Sequence, residues 1–193
     1  FWHRLFFACD NLLNYAGKLI YPYNQSGYYQ YPDIVDGKPP LIYFISGGVV
    51  IALAIIVVLN FKKNRLMFFS AGYFVSAVAL VLMIFPVGPT LFSERYSYVP
   101  SVMLYFFGFS MLWKYVPQQA GNKSMLYILS GILTLYAGFF ILKTRTRCEV
   151  WKDNLSFWTD VIASDPKIPI AFNNRANEYK IRSEEHTSEP PVT

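Results

Sequence analysis

One charged pair stands where chemistry at a membrane surface could take place. Glu94 and Arg95 are the only charged residues between Arg65 and Lys114. A charged pair beside long apolar stretches is costly unless it pairs, reaches water or meets a ligand. The guanidinium fork of Arg95 matches phosphate oxygens, which favours a phosphate-binding site. The residues leave an alternative open, a structural Glu94–Arg95 ion pair whose side chains extend to water from a helix end.

Two tyrosines complete this candidate site. Tyr96 and Tyr98 follow Arg95 directly and could line the same pocket. They could equally serve as interface anchors, because a tyrosine ring is apolar and its hydroxyl prefers water.

The other residue types that commonly carry chemistry offer no second site. Cys9 and Cys148 lie far apart without C-x-x-C spacing, which argues against a zinc ribbon, a cysteine-ligated cluster or a thioredoxin-like motif. His3 lies near the first residue and His186 lies in a polar tail, so neither supports a metal or acid–base proposal. We therefore expect no metal and no cofactor within this chain, and no binding of nucleic acid.

The composition predicts a membrane protein. Hydrophobic residues make up 54% of the 193 residues and charged residues only 15%, well below the share usual in soluble domains. The charged residues leave four uncharged gaps, each close to the roughly 20 residues that cross a bilayer. We predict an all-α fold, a polytopic bundle over residues 38–143 with four transmembrane helices. These helices are expected at about 41–59, 66–85, 98–116 and 125–142. The third is the weakest, because it contains Pro100, Gly108 and several serines.

The short connections between these helices predict their orientation. The first and third connections carry five basic residues, whereas the middle loop has Arg95 alone, offset by Glu94. This bias places the first and third connections in the cytoplasm, and both chain ends with the middle loop on the periplasmic or lumenal side. Four basic residues that follow the last span argue against this orientation: Lys143, Arg145, Arg147 and Lys152.

Residues 1–37 form a separate region before the first span. From Leu5 to Ile20 apolar residues recur at helical spacing, and the polar residues fall on the opposite side: Asp10, Asn11, Asn14 and Lys18. This pattern predicts an amphipathic helix that lies at the membrane interface, with the end of a truncated span as the alternative. A loop rich in tyrosine and proline follows. Its tyrosines are typical of the headgroup layer, or could stack on sugar.

Residues 144–181 are predicted to begin a helical repeat domain. The spacing of five residues matches the tetratricopeptide repeat (TPR) consensus on both sides of a repeat junction: Trp158, Pro166, Phe172, Ala176 and Tyr179. Arg175 replaces the leucine that is usual in that consensus. The alternative is an arbitrary amphipathic helix pair. Because one and a half repeats cannot bury a solenoid core, we expect further repeats in a longer protein.

The two ends of the chain also carry expectations. Residues 182–193 are polar, lack helical periodicity and resemble translated adapter read-through, so we expect a non-native or disordered tail. The chain begins with Phe1 rather than Met, which indicates a piece of a longer protein.

The order of these parts resembles a known family. An interfacial helix, a tyrosine-rich loop, four spans and a TPR start are similar to the C-terminal membrane half of the transmembrane and TPR-containing O-mannosyltransferases and their bacterial relatives, in the GT-C glycosyltransferase superfamily. The resemblance covers roughly residues 5–181. Its most specific part runs from Ser93 to Ser101, which is similar to the family's AERYLYLPS-like signature. Serine precedes Glu94 where alanine is common, and valine replaces leucine at position 99.

This resemblance implies a function for the parent protein. Such an enzyme would take a sugar from a polyprenyl-phosphate donor and transfer it to a protein or glycan hydroxyl on the outer face, with a bacterial inner membrane as the expected location. Its partners would be the lipid bilayer, the polyprenyl-phosphate-linked sugar and a protein partner or acceptor at the TPR region. The residues expected to bind the lipid phosphate or the substrate are Arg95, Glu94, Tyr96 and Tyr98.

No catalytic residue is assigned in this chain. The acidic catalytic residues of the superfamily lie in a first outward loop that this sequence does not contain, and Asp33 and Asp36 match no catalytic motif. Two other classes of protein stay open. One is a non-enzymatic, membrane-anchored TPR protein that serves as an interaction scaffold, and the other is a transporter.

Overall fold

The structure, a computed structural model, describes residues 2–32, 34, 38–82, 84, 90–115 and 123–188. These residues form seven α-helices and no β-strand, so the all-α prediction is confirmed for the described chain. Contacts divide the chain into an N-terminal unit, Phe1–Val116, and a C-terminal unit, Pro117–Thr193.

The N-terminal unit contains four helices. Helix α1 spans Trp2–Ile20, α2 spans Leu41–Leu59, and α3 spans Arg65–Val78 and continues as the 3₁₀ turn Ala79–Val81. A second 3₁₀ turn, Glu94–Ser97, leads directly into α4, Tyr98–Tyr115. Helix α1 packs against α2 and α3 packs against α4. The buried apolar cluster joins α1 and α3 to the segment before α4 through Phe7, Ala8, Tyr15, Phe74, Val78, Leu82, Leu91 and Phe92.

Among the described residues, two helices are long and apolar enough to cross a membrane. They are α2 and residues Ser124–Val150 of the C-terminal unit. Both leave most of their side chains exposed, which is the surface that a lipid environment would cover. The predicted span at 41–59 coincides with α2, whereas the one at 125–142 lies within a longer helix.

The other two predicted spans are helical but do not reach the same length and apolarity. Residues 65–81 form a shorter apolar helix, and residue 85, the predicted end of this span, lies outside the described residues. Helix α4 begins and ends within a residue of its prediction, but Pro100, Gly108 and its serines dilute its apolar character. A membrane crossing by α3 and α4 therefore stays a prediction.

The polar residues of α1 lie against the rest of the N-terminal unit. The helix begins three residues earlier than expected, and its location at a membrane interface stays a prediction. Asn11 is only 1% exposed and the side chain of Lys18 only 10% exposed, whereas Leu5 and Ile20 are exposed. The polar side turns inward because its members find hydrogen-bond partners on α2, in the tyrosine-rich loop and in the segment before α4.

The C-terminal unit contains a long helix and a helical hairpin. Helix α5 spans Lys123–Val150, α6 spans Asn154–Ser164 and α7 spans Pro169–Ser188. Asp153 caps α6 by accepting a hydrogen bond from the Ser156 backbone N–H at 2.7 Å. Pro169 occupies the first position of α7, where its missing N–H costs nothing. The two hairpin helices meet at a small buried seam of Val161, Ile168 and Ala171.

Helices α5 and α7 are both longer than the sequence predicted. Helix α5 continues past residue 142, and on that extension Arg147 pairs with Asp160 of α6 at 3.0 Å to both carboxylate oxygens. Helix α7 continues to Ser188, into a stretch expected to lack regular structure. There Arg182 approaches Asp153 at 3.6 Å. Residues 189–193 of the predicted tail lie outside the described residues.

The hairpin has the helices that a TPR start requires, but TPR packing stays a prediction. Trp158 is half-buried, and Phe172 and Tyr179 are exposed, at 42% for Phe172. An apolar face of this kind is expected where a repeat lacks its neighbour, because one repeat cannot bury its hydrophobic face alone.

Candidate functional site

The segment before α4 is fixed by polar contacts rather than by regular secondary structure. The Asn11 side chain of α1 donates a hydrogen bond to the Leu91 carbonyl oxygen at 2.9 Å. The Leu91 N–H in turn donates to the Tyr29 carbonyl oxygen, also at 2.9 Å. The Phe92 ring contacts the ring of Tyr15 at a centroid distance of 4.3 Å and that of Tyr29 at 5.1 Å. The backbone that enters the candidate site is therefore held from two sides.

Glu94 forms the centre of a charged network, but its cationic partner is not Arg95. Lys18 Nζ lies 2.6 Å from Glu94 Oε1. The Tyr29 hydroxyl donates to the same oxygen at 2.6 Å, and the Gln25 side chain donates to Oε2 at 3.3 Å. The structural Glu94–Arg95 ion pair considered from the sequence is therefore wrong, since the carboxylate pairs with a residue of α1. Its expected role in binding a lipid phosphate has no support from this geometry, because both its oxygens face donors of the protein.

Lys18 is the residue that sequence reasoning missed. Its ammonium lies among three rings, at 4.6 Å from the ring centroid of Tyr29, 5.3 Å from Phe92 and 5.4 Å from Tyr23. The signal that could have found it was Glu94 itself. A carboxylate in a long uncharged stretch needs a cation, and Lys18 stood on the polar side of α1, next to the tyrosine-rich loop.

Arg95 points away from this network. Its guanidinium lies 5.3 Å from the ring centroid of Tyr96, and both side chains are exposed. Within the described part of the chain, Arg95 has no hydrogen-bond or ion-pair partner. Tyr98 is 74% exposed and makes no ring contact with Arg95 among the described residues. The structure thus brings Arg95 and Tyr96 into contact and pairs Glu94 with Lys18. It does not bring Tyr98 into ring contact with Arg95 among the described residues.

Tyr15 lies beneath the 3₁₀ turn that carries Arg95. Burial raises the pKa of Tyr15 to about 12, with a smaller effect in the same direction from Tyr96 and an opposing effect from the Ser93 backbone. Despite this proximity to Ser93, the Tyr15 hydroxyl makes no hydrogen bond of acceptable geometry within the described residues. The Tyr15 hydroxyl is therefore neutral at physiological pH, and the ring packs against Phe92 just before the turn.

A second polar cluster joins α1 to α2. Asp10 accepts a hydrogen bond from the Ser46 hydroxyl at 2.6 Å and another from the Asn14 side chain at 2.8 Å. The Tyr23 hydroxyl donates to Asn14 at 2.8 Å, so the cluster reaches the tyrosine-rich loop. Burial, and then the charge of Asp10, raise the pKa of Tyr23 and keep its hydroxyl protonated. This cluster links α1 to α2 and to the tyrosine-rich loop.

The structure describes only some of the other residues that the sequence singled out. Asp33 and Asp36 lie outside the described residues, as does the side chain of His186. Cys9 and Cys148 are both free thiols, and burial raises the pKa of Cys9. No group of three or more His, Cys, Asp or Glu side chains able to hold a metal occurs in the described ranges.

Comparison of the chain with protein-family models, with curated proteins and with solved structures finds no match.

Proposed function

We propose that this chain is the membrane part of a glycosyltransferase that uses a polyprenyl-phosphate-linked sugar, and that Arg95 binds the phosphate of that donor. One observation carries this proposal. Arg95 is an exposed cation on a rigidly held turn at the head of α4, and the carboxylate beside it is already neutralised by Lys18. A cation that has no hydrogen-bond or ion-pair partner among the described residues, at the edge of a hydrophobic region, suits an amphipathic anion such as a prenyl phosphate.

The side chains around Arg95 support the same ligand. The arginine fork can present two parallel N–H groups to phosphate oxygens. The exposed rings of Tyr96 and Tyr98 offer apolar surface for the first prenyl units or a face for the sugar. Because the turn is anchored through the hydrogen bonds of Leu91 and the ring of Phe92, little ordering is needed when the phosphate arrives, and preorganisation of this kind favours affinity.

The finer architecture belongs to this proposal. It comprises four membrane crossings, with α3 and α4 as the second and third, and a TPR array that begins at the α6–α7 hairpin. In this arrangement the Arg95 turn and the hairpin face the periplasm or lumen. Labelling of Phe61→Cys, at an exposed turn residue, in a chain with Cys9 and Cys148 replaced by alanine, tests the sidedness. Protection from an impermeant reagent on the outer face is expected, and ready labelling there would reverse the orientation.

Binding of farnesyl phosphate to the 193-residue chain in nanodiscs of neutral phosphatidylcholine tests the assignment of Arg95. We expect Arg95→Lys to weaken binding on the order of tenfold, because charge remains but the bidentate geometry is lost, and Arg95→Ala to weaken it further. Since Lys18 neutralises Glu94, neither variant leaves an unpaired buried carboxylate, and both are expected to fold.

Arg65→Ala is the matched control, because Arg65 is an exposed arginine at the start of an apolar helix in the same unit. Its affinity for farnesyl phosphate should equal that of the unmodified chain. Competition with inorganic phosphate and with farnesol tests the contributions of the phosphate and of the prenyl chain separately. We expect neither compound alone to displace farnesyl phosphate well. Unchanged affinity in Arg95→Ala would remove Arg95 from the donor site.

A second function is favoured by a different observation, the exposed aromatic face of the C-terminal hairpin. Phe172 and Tyr179 of α7 are exposed there, as expected of a surface that receives another helix or a protein partner. A membrane-anchored scaffold would use this face without needing Arg95. A chain that binds no farnesyl phosphate would therefore favour the scaffold over the glycosyltransferase.

A further inference from the structure

The ammonium group of Lys18 is nearly buried, and each of its three N–H groups has an acceptor within the protein. An ammonium has three N–H donors, and three acceptors lie within reach of Nζ. These are Glu94 Oε1 at 2.6 Å, the Tyr29 hydroxyl oxygen at 2.6 Å and the Asn24 carbonyl oxygen at 3.1 Å. With aromatic rings around it and its side chain 10% exposed, Lys18 is not in a position to touch a phosphate.

The carboxylate that Lys18 neutralises is the nearest negative charge to Arg95 along the chain. Glu94 directly precedes Arg95 in the same 3₁₀ turn. If its charge were not compensated, it would attract the guanidinium and repel an incoming phosphate. At the ~8 Å expected between neighbouring long side chains, and in a partly solvated site, such a charge alters anion affinity several-fold.

We propose that Lys18 is a positioning residue for anion binding. By neutralising Glu94 it keeps Arg95 free to bind phosphate, although Lys18 itself never contacts the ligand. This inference rests on the proposed function of Arg95. It goes beyond that function in assigning the affinity of the site to a charge on α1, in a different part of the chain, and in giving the inward-facing polar side of α1 a functional role.

Epistasis between two substitutions tests this proposal. In the nanodisc assay with farnesyl phosphate, Lys18→Met should weaken binding about five- to tenfold, because it exposes Arg95 and the ligand to an uncompensated carboxylate. The double variant K18M/E94Q removes that carboxylate but keeps the hydrogen bonds of Leu91 with Asn11 and Tyr29 that hold the turn, so it should bind within about twofold of the unmodified chain. Glu94→Gln alone should bind at least as tightly as the unmodified chain, because Lys18 then adds positive charge.

A purely structural role for the pair predicts the opposite epistasis. If the Lys18–Glu94 pair only stabilises the turn, the double variant K18M/E94Q lacks that stabilisation and binds as weakly as K18M. If Lys18 contacts the phosphate directly, the double variant also stays weak. Either result overturns the proposal, as does unchanged affinity in K18M.

If the K18M chain does not fold, Tyr29→Phe provides the test instead. Phenylalanine keeps the ring beside Lys18 and Phe92 but loses the hydroxyl that donates to Glu94. We expect a loss of about twofold that Glu94→Gln reverses. No loss in Y29F, or a loss that remains in Y29F/E94Q, contradicts the proposal.

The same assay separates this inference from the proposed function. If the unmodified chain does not bind farnesyl phosphate, or Arg95→Ala binds as well as the unmodified chain, the proposed function fails. If Arg95→Ala loses binding but the double variant does not recover it, the proposed function stands and the role of Lys18 is wrong.

Discussion

Each of the two units contains an ion pair that joins two of its own segments, and the two pairs lie in different surroundings. Lys18–Glu94 joins residues 76 positions apart, with side chains 10% and 27% exposed. Arg147–Asp160 joins neighbouring helices 13 positions apart, with side chains 22% and 23% exposed. The first pair lies among aromatic rings with two further donors on the carboxylate, whereas the second is a bidentate pair at a helix junction.

The difference follows from what each pair has to hold. The turn before α4 contains no α-helix, so hydrogen bonds from Asn11 and the Glu94 network replace helical hydrogen bonds in fixing it. Helices α5 and α6 satisfy their own backbone groups, and the α6–α7 hairpin also has a buried apolar seam. A polar network therefore decides the geometry of the Arg95 turn, whereas the hairpin depends mainly on apolar packing.

The largest expected effect comes from removing the cation of each pair in turn. Lys18→Met leaves Glu94 partly buried without a cation and should cost about 3–5 kcal/mol. Arg147→Met removes a cation that is itself 22% exposed, so water already competes with its contact to Asp160, and the change should cost about 1 kcal/mol. Denaturant unfolding of the purified chain in detergent, followed by tryptophan fluorescence, gives both values. Equal losses in the free energy of unfolding would show that the two ion pairs contribute equally to stability, despite their different surroundings.

The sequence predicted the helices well and the site only in part. The gaps between charged residues located α2 at 41–59 and α4 to within one residue, because a long uncharged and largely apolar run is visible in the sequence itself. The spacing around Trp158 and Phe172 correctly predicted helices on both sides of Pro166. These features depend on local periodicity, which a single sequence shows directly.

The parts that the sequence could not provide depend on contacts between distant residues. Periodicity separates the two sides of α1 but does not say which side packs inward, because inward packing of Asn11 and Lys18 requires partners from residues 91–94. Glu94 and Arg95 are neighbours in sequence, yet the long-range partner Lys18 decides that they do not pair. The length of α5 was missed for the same reason, since Arg147 is placed by Asp160 of the next helix.

A smaller effect is expected where the apolar seam of the hairpin is overfilled. Ala171 is fully buried between α6 and α7, so Ala171→Leu should cost about 1–3 kcal/mol. Ala176 lies on the exposed side of α7, so Ala176→Leu is the matched control and should change the stability by less than about 0.5 kcal/mol. The free energy of unfolding of the isolated chain measures both. A larger effect from A176L than from A171L would mean that the helices pack through the opposite face.

The partial burial of Trp158 limits the cost expected for its removal. Full burial of this ring would make Trp158→Ala cost roughly 3–5 kcal/mol, but the ring is only half-buried and contacts Phe157 at a centroid distance of 4.9 Å. We therefore expect a smaller loss than that range. In a chain extended by further TPR repeats the loss should increase, because a stacked neighbour would cover more of the hairpin's apolar face.

The smallest effect is a pH dependence confined to the hairpin. The hydrogen bond from the Ser156 backbone N–H is the main cause that lowers the pKa of Asp153, and desolvation opposes it. The Ser156 side chain and the charges of Arg182 and Lys152 add smaller effects that also lower this pKa. A carboxylate whose pKa is lower in the folded than in the unfolded chain stabilises the fold above the unfolded value, about 3.9. This contribution is lost as the pH falls from about 4 through the folded pKa.

Asp153→Asn separates the cap from its charge. Asparagine caps a helix about as well as aspartate but does not titrate, so D153N should unfold at nearly the same temperature as the unmodified chain at pH 7. Between pH 4 and pH 2.5 its midpoint temperature should fall less steeply, because one stabilising carboxylate fewer becomes protonated. Asp153→Ala is the control that loses the cap at every pH and should be less stable already at pH 7. If D153N and the unmodified chain lost stability in parallel on acidification, the charge of Asp153 would contribute nothing, and the cap would act through its hydrogen bond to Ser156 alone.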